Sequence, residues 1–253
     1  MLLDQNEVAV ALAKKQFVPY FQPLHDVVTG DCIGAEILAR LPLPDGSVSV
    51  PSKFLPMMDT DRDLPTLTRI LMKEAETWLT GMIIPDGFVL TINITPNMAG
   101  EEWLTEACNR LMACANRRLI LILELTERTP LTRNGPKWQS QLSRLMETGI
   151  LLAIDDYGTG HSGLNLLLLS GAGILKLPRE FVCRLGECDV TSGITDNVVH
   201  LAERLGLKLI AEGVETEAQQ GLLAAKGIRL MQGWHFSPPL SGCDFKDYLS
   251  QYI

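Results

Sequence analysis

Nowhere in its 253 residues does this chain run to the roughly 18 apolar residues that a membrane-spanning helix needs. The richest stretch, Leu164 to Leu175, is broken by Asn165, Ser170 and two glycines. The segment from Met1 to Glu7 lacks the basic region and long apolar run of a secretory leader. Positive charge is also short: 22 Lys and Arg stand against 30 Asp and Glu, for a formal charge of −8. That balance argues against broad binding to DNA or RNA duplexes or to anionic lipid. An anionic substrate would therefore need a local cationic device, such as metal ions. CxxC pairs are absent too. The six cysteines (Cys32, Cys108, Cys114, Cys183, Cys188, Cys243) are scattered, which fits free thiols in a reducing cytoplasm better than a disulfide framework. The four histidines (His25, His161, His200, His235) show no HxxxH or HExxH spacing, so each is expected at the surface or behind a site rather than on a metal.

What the chain does have is apolar content and a strand–helix rhythm. At 46% hydrophobic it can bury a full core, and its length is usual for one α/β barrel. Strands are predicted at Phe17 to Pro23, Cys32 to Leu41, Phe88 to Ile94, Leu119 to Leu125, Ile150 to Ile154, Ile174 to Leu177, Leu207 to Glu212 and Arg229 to Gly233. Thr29-Gly30-Asp31 marks a turn that makes the first two a hairpin. Helical spacing covers Leu67 to Leu79, Glu101 to Ala115, Trp138 to Glu147, Ser192 to Leu205 and Glu217 to Ala225, with a further helical region near Ser52 to Met58. Leu166 to Leu169 reads as helix core, and Asp59 to Asp63 as a solvated loop. Eight strands with interspersed helices and no linker-like stretch favour one barrel over a doubly wound sheet.

The densest signal is Asp155-Asp156 at the end of the apolar run Ile150 to Ile154, followed by Tyr157-Gly158-Thr159-Gly160. Two acids at the end of a buried strand repel each other and are costly to hold ionised, and a divalent cation is the usual remedy. A solvated Asp-Asp turn is the plain alternative, and the other strands decide between them. Glu36, Asn93, Glu124, Asp155 with Asp156, Lys176, Glu212 and Gln232 each lie in or at the end of a different predicted strand. Barrel strand ends converge on one face, so residues far apart in sequence become one cluster. A lone strand Glu is usually a solvated residue; seven strands that each place a polar group near the same end are not independent accidents. Glu36, Glu124, Asp155, Asp156 and Glu212 bring five negative charges and Lys176 one positive charge, a remainder that two divalent ions would cancel. Oxygen ligands suit Mg²⁺ or Mn²⁺ better than Zn²⁺. Two such ions sharing an Asp make the arrangement used to cleave phosphodiesters. Gly158-x-Gly160-x-x-Gly163 also matches a dinucleotide fingerprint, but the two acids before it would repel a pyrophosphate.

These residues carry a family resemblance. The chain resembles the EAL domains, bacterial phosphodiesterases for cyclic di-GMP. The signature lies at Glu36-Ile37-Leu38-Ala39-Arg40, where the family usually reads Glu-Ala-Leu-Leu-Arg. It extends through Tyr20-Phe21-Gln22-Pro23, Asn93-Ile94-Thr95-Pro96, Glu124-Leu125-Thr126-Glu127, Asp155 to Gly160, Lys176, Ala211 to Thr216 and Gln232 to Leu240. The likeness spans about Phe17 to Leu240 and implies one EAL-type domain over residues 1–253. It implies a modified TIM (β/α)8 barrel with an antiparallel first strand, and hydrolysis of cyclic di-GMP to linear pGpG. Carried over by position, Glu36, Asn93, Glu124 and Asp155 are implied ligands of a first metal, and Asp155, Asp156 and Glu212 of a second. Lys176 would sit beside the attacking water, with Glu212 also a candidate base. Gln22 and Arg40 resemble substrate-contacting residues. Glu127, Glu215 and Gln232 resemble supports behind the ligands. A homodimer is implied as well.

One departure removes a charge: the family's Lys-Ile-Asp is Lys176-Leu177-Pro178 here, so an acid near the metals is missing. Two alternatives stand beside hydrolysis. One is a degenerate EAL domain that binds cyclic di-GMP or a protein without turnover; the other is an unrelated Mg²⁺-using barrel.

Overall fold

The computed structural model describes residues 3–115, 119–126, 136–160 and 163–252. Nine strands form: β1 (Val18–Asp26), β2 (Cys32–Pro42), β3 (Val48–Ser49), β4 (Phe88–Ile94), β5 (Leu119–Thr126), β6 (Leu151–Asp155), β7 (Ile174–Leu177), β8 (Lys208–Ala211) and β9 (Leu230–Met231). The helices are α1 (Gln5–Ala13), α2 (Pro51–Phe54), α3 (Asp63–Thr80), α4 (Glu102–Cys114) and α5 (Pro136–Glu147). They continue with α6 (Gly163–Ser170), α7 (Arg179–Val182), α8 (Asp189–Leu205), α9 (Glu217–Ala225) and α10 (Gly242–Leu249).

Strand order is β1-β9-β8-β7-β6-β5-β4-β2, and β1 also pairs with β2, so eight strands close on themselves. β1 runs antiparallel to both its neighbours, while β2 and β4 to β9 pair in parallel. This is the barrel with an antiparallel first strand that the resemblance implies, and the hairpin at Gly30 fits it. Gly30 turns it at φ +81°, a conformation that suits glycine, and its N–H bonds to the Asp26 carbonyl at 2.8 Å. The short β3 is an appendage on β2 outside the closed ring.

The barrel interior has two tiers, and strand periodicity explains both. Leu24, Ile122, Ala153, Ile174 and Ile210 form a separate buried cluster inside the lower half. Side chains two residues apart on a strand share a face. Two residues nearer the mouth, the same columns therefore present Gln22, Glu124, Asp155, Lys176 and Glu212. On β1 the step runs backwards, from Leu24 to Gln22, because that strand runs downward. The main core lies outside the ring, where Ile92, Leu123, Ile154 and Leu175 meet the helices. Phe17, Phe21, Phe54 and Phe88 are wholly buried there, each contributing on the order of 1.5–3 kcal/mol.

Helix ends follow local chemistry. Thr216 and Gln219 form a reciprocal capping box at the start of α9, and Gly206 ends α8 in the left-handed region. Helices α1, α7 and α10 and strand β3 are not among the predicted elements. Asp4 with Glu7 forms a capping box before α1, and Ser241 caps α10. Both signals are in the sequence, but these helices are short. The reading of Leu166 to Leu169 as core holds for Leu166, which is buried, and for Leu167 and Leu169, which are half-buried against the core, but not for Leu168. Leu168 is 79% exposed and Leu164 69% exposed, one turn apart on the outer face of α6. His25 also departs from expectation: it is buried, bonded to the Tyr248 hydroxyl at 2.9 Å and stacked on Phe236, away from the mouth. The six cysteines are free.

Candidate active site

Lys176 is the hub. It is 1% exposed, and its ammonium meets carboxylates from four other strands or strand ends. Glu36 lies at 3.2 Å, Glu124 at 2.7 Å and Asp155 at 3.3 Å, with Glu212 in direct contact. Gln232 donates to Glu36 at 2.6 Å and to Glu212 at 3.2 Å, so it ties β2 to the exit of β8. Asn93 donates to the other oxygen of Glu36 at 2.9 Å. All seven strand-end groups singled out from the sequence thus share one network, the Asp pair joining it through Asp155 and extending it through Asp156. Ligand oxygens of Asp155, Asp156 and Glu212 all lie within 4.8 Å of one another.

Local backbone sets this up. Asp156 sits at φ +54°, a left-handed conformation that an L-residue other than glycine adopts at a cost. The carbonyl of Asp156 accepts from the Thr159 amide at 3.1 Å and hydroxyl at 2.9 Å. Tyr157 donates its amide to the carbonyl of Lys176 itself at 3.2 Å. The two acids are therefore fastened to the strand that carries the lysine. Gly158 follows at φ +92°, with Phe181 so close that a Cβ would meet its ring at 3.1 Å.

The charges do not balance. Burial alone would strip the proton from Lys176, but the charges of Asp155, Glu124, Glu212 and Glu36 outweigh it and hold the ammonium well above its ordinary range. Burial also raises Glu36, yet the Lys176 charge and bonds from Gln232, Lys176 and Asn93 bring it below the usual carboxylate range. Glu124 goes the other way: burial, and then repulsion from Glu36, push it well above that range despite Lys176. Glu212 is likewise raised, first by burial. One cation holds Glu36 down and leaves Glu124 and Glu212 raised.

Hydrogen bonding leads to the same conclusion. Both oxygens of Glu124 and Oδ1 of Asp155 are buried without a hydrogen bond; Lys176 approaches Glu124 closely but out of line. Buried acceptors of this kind are costly when bare. An all-oxygen set with orphaned carboxylates at one end of a barrel fits hard divalent cations.

The rim residues fall where the sequence places them. Gln22, one strand over from Glu36 in register, donates to the carbonyl of Ser237. Arg40, two pleat repeats above Glu36 on β2, bonds the Ala39 carbonyl at 2.9 Å and lies 5.5 Å from the Tyr20 ring centroid. Glu215 stands further out. Its carboxylate takes Nε and a terminal nitrogen of Arg179 at 2.9 and 2.6 Å. Arg179 also lies over Gly213, where a Cβ would meet its side chain at 2.4 Å. Arg179 and the Ser237 carbonyl were not singled out from the sequence. A basic residue next to Pro178 was the available signal for the first; a backbone acceptor leaves none. Pro178 is buried at the exit of β7, with no carboxylate in its place. Glu127 and His161 lie outside the described residues.

The EAL domain family profile matches residues 5–239. The chain is 32% identical over 249 residues to the cyclic di-GMP phosphodiesterase PdeL of Escherichia coli (strain K12), covering 96% of this chain and 68% of PdeL. It is also 32% identical over 237 residues to the probable cyclic di-GMP phosphodiesterase PdeG of the same organism, covering 92% of this chain and 46% of PdeG. The solved structure of the PaMucR phosphodiesterase in complex with c-di-GMP superposes with a TM-score of 0.80 at 27% identity, covering 95% of this chain and 98% of that one.

Proposed function

The chain belongs to the EAL domain family, and from that premise we propose that it hydrolyses cyclic di-GMP to linear pGpG with one or two divalent cations, Mg²⁺ or Mn²⁺. The observation that carries this reading is the buried Lys176 ammonium among Glu36, Glu124, Asp155 and Glu212, with both oxygens of Glu124 and one of Asp155 buried without a hydrogen bond. The relatives named above are phosphodiesterases for the same nucleotide.

Glu36, Asn93, Glu124 and Asp155 would hold one cation, and Asp155, Asp156 and Glu212 the other. Bound cations supply a lowered pKa for water and charge neutralisation on the phosphoryl oxygens. Lys176 is placed to orient the attacking water in line with the scissile bond, and Glu212 to accept its proton. Gln232 holds Glu36 and Glu212 in register. Gln22 and Arg40 occupy the rim, where Arg40 can pair with a phosphate oxygen. Pro178 in place of an acid weakens the second metal's surroundings without removing a ligand. Glu127 is proposed as a support by family position alone.

The test is product analysis. Incubation with cyclic di-GMP and Mg²⁺ yields pGpG, and chelation stops it. Stoichiometric binding without product would instead favour the degenerate reading. A homodimer and a cytoplasmic location are proposed too. The exposed Leu164 and Leu168 on α6 form a small apolar stripe for a second copy, and free thiols suit the cytoplasm. Sedimentation of wild-type protein and of Leu168→Glu tests the dimer.

A further inference from the structure

Trp234 is 71% exposed, and it is the exposed tryptophan among the four the chain carries. It sits in the turn Gly233 to Ser237, directly after Gln232. Both ends of that turn touch the mouth: Gln232 bonds Glu36 and Glu212, and the Ser237 carbonyl accepts from Gln22. The turn is rigid. Phe236 and Ser237 both return their amides to the Gly233 carbonyl at 3.1 Å. Val214, two residues past Glu212, brackets it: its amide bonds the Gln232 carbonyl at 3.1 Å, and its carbonyl takes the His235 amide at 2.9 Å. Gly233 packs so tightly on Val214 that a Cβ would lie 2.2 Å from its backbone.

The neighbours of Trp234 are committed elsewhere. His235 turns to Gln220 on α9 at 2.8 Å, and Phe236 stacks on His25 with centroids 4.7 Å apart. The Trp234 indole has no hydrogen bond or ring partner among the described residues and packs against neither buried cluster. A lone exposed apolar side chain is ordinary. A large aromatic face held in water by a stiff turn, on the rim of a phosphodiester site, is a stacking platform without its partner.

We propose that Trp234 stacks on a purine base of the substrate and so confers preference for a nucleobase-bearing diester. This deepens the phosphodiesterase reading and rests on it: with the phosphate at the acids, a base of a cyclic dinucleotide must project toward the rim. Base–aromatic stacking changes affinity about tenfold or more when the ring is removed.

The experiment pairs steady-state kinetics on cyclic di-GMP with equilibrium binding followed by tryptophan fluorescence, using wild type, Trp234→Ala and Trp234→Phe. Trp234→Ala is expected to raise KM and Kd about tenfold with kcat held within about twofold, and Trp234→Phe to restore most of the affinity. Wild-type fluorescence should be quenched by the nucleotide, and that quench should vanish in Trp234→Phe although binding persists. Unchanged affinity in Trp234→Ala, or a phenylalanine no better than alanine, overturns the proposal. Wild-type protein that shows the Trp234 quench but forms no pGpG would support stacking and refute hydrolysis. Hydrolysis that is indifferent to Trp234 would do the reverse.

Discussion

The two ends of the barrel treat charge in opposite ways. At the floor, Asp26 at the end of β1 meets Arg229, with Nε at 2.5 Å, and also accepts the Val28 amide at 3.0 Å. Those two charges satisfy each other, and the tier above them is Leu24, Ile122, Ala153, Ile174 and Ile210. At the mouth, one lysine serves Glu36, Glu124, Asp155 and Glu212, and two of those acids keep buried oxygens without hydrogen bonds. The floor is arranged for stability. The mouth gives up stability to concentrate negative charge, as sites that await a cation do.

The comparison breaks most visibly at the acids. Asp155→Ala, or the equivalent change at Glu36, Asn93 or Glu124, is expected to lower kcat by about 10²–10³-fold or more while the fold persists, since each removes a proposed oxygen ligand. Circular dichroism checks the fold and product formation checks the rate. A variant with near-wild-type turnover at limiting Mg²⁺ would take that residue out of the site.

Lys176→Ala should act on both chemistry and stability. Loss of the buried ammonium at the centre of the cluster leaves its acids uncompensated, with an expected destabilisation of about 3–5 kcal/mol in metal-free urea unfolding. kcat should fall far more than KM rises if, as proposed, the ammonium acts on the transition state. A rise in KM with kcat unchanged would contradict this.

At the floor the same kind of deletion should be mild and catalytically silent. Asp26→Ala is expected to cost about 1 kcal/mol, with kcat/KM within twofold, because Arg229 is half-exposed and screened. The Arg229 hydrogen bond holds the Asp26 carboxyl below its ordinary range. Its contribution is therefore present above pH of about 4 and is lost as pH falls through the lowered value. Urea midpoints of wild type and variant should converge in acid.

The smallest expected effect is at Pro178. Pro178→Asp restores a carboxylate at the exit of β7, where φ of −71° suits either residue. The Mg²⁺ concentration for half-maximal rate should fall a few-fold. Superimposable titration curves would mean that position 178 does not tune the metals.

Much of this was legible in the sequence because a strand places alternate residues on one face. Glu124 two residues after Ile122, Lys176 after Ile174 and Glu212 after Ile210 needed only period-two reasoning and the rule that barrel mouths gather strand ends. The barrel followed from the count of eight strands, and the reversed β1 from the family resemblance, which the hairpin turn at Gly30 fits. What stayed hidden depends on contacts between chain segments. No pattern announces that the Ser237 carbonyl would hold Gln22, or that Arg179 would lie over Gly213 and grip Glu215. Leu168 was misread because an all-leucine helix has no polar face to mark the solvent side. His25 was misread because its burial comes from Phe236, Tyr248 and Tyr252, more than two hundred residues away.

The central claim is that the unbalanced mouth is a divalent-cation site, and thermal unfolding of metal-free protein with and without Mn²⁺ tests it most directly. Saturation at about 100 times Kd contributes about 2.7 kcal/mol, which for a chain of this size raises Tm by about 5–10 °C. Asp155→Ala should lose that shift. A wild-type Tm indifferent to Mn²⁺, or an equal shift in Asp155→Ala, would contradict the account.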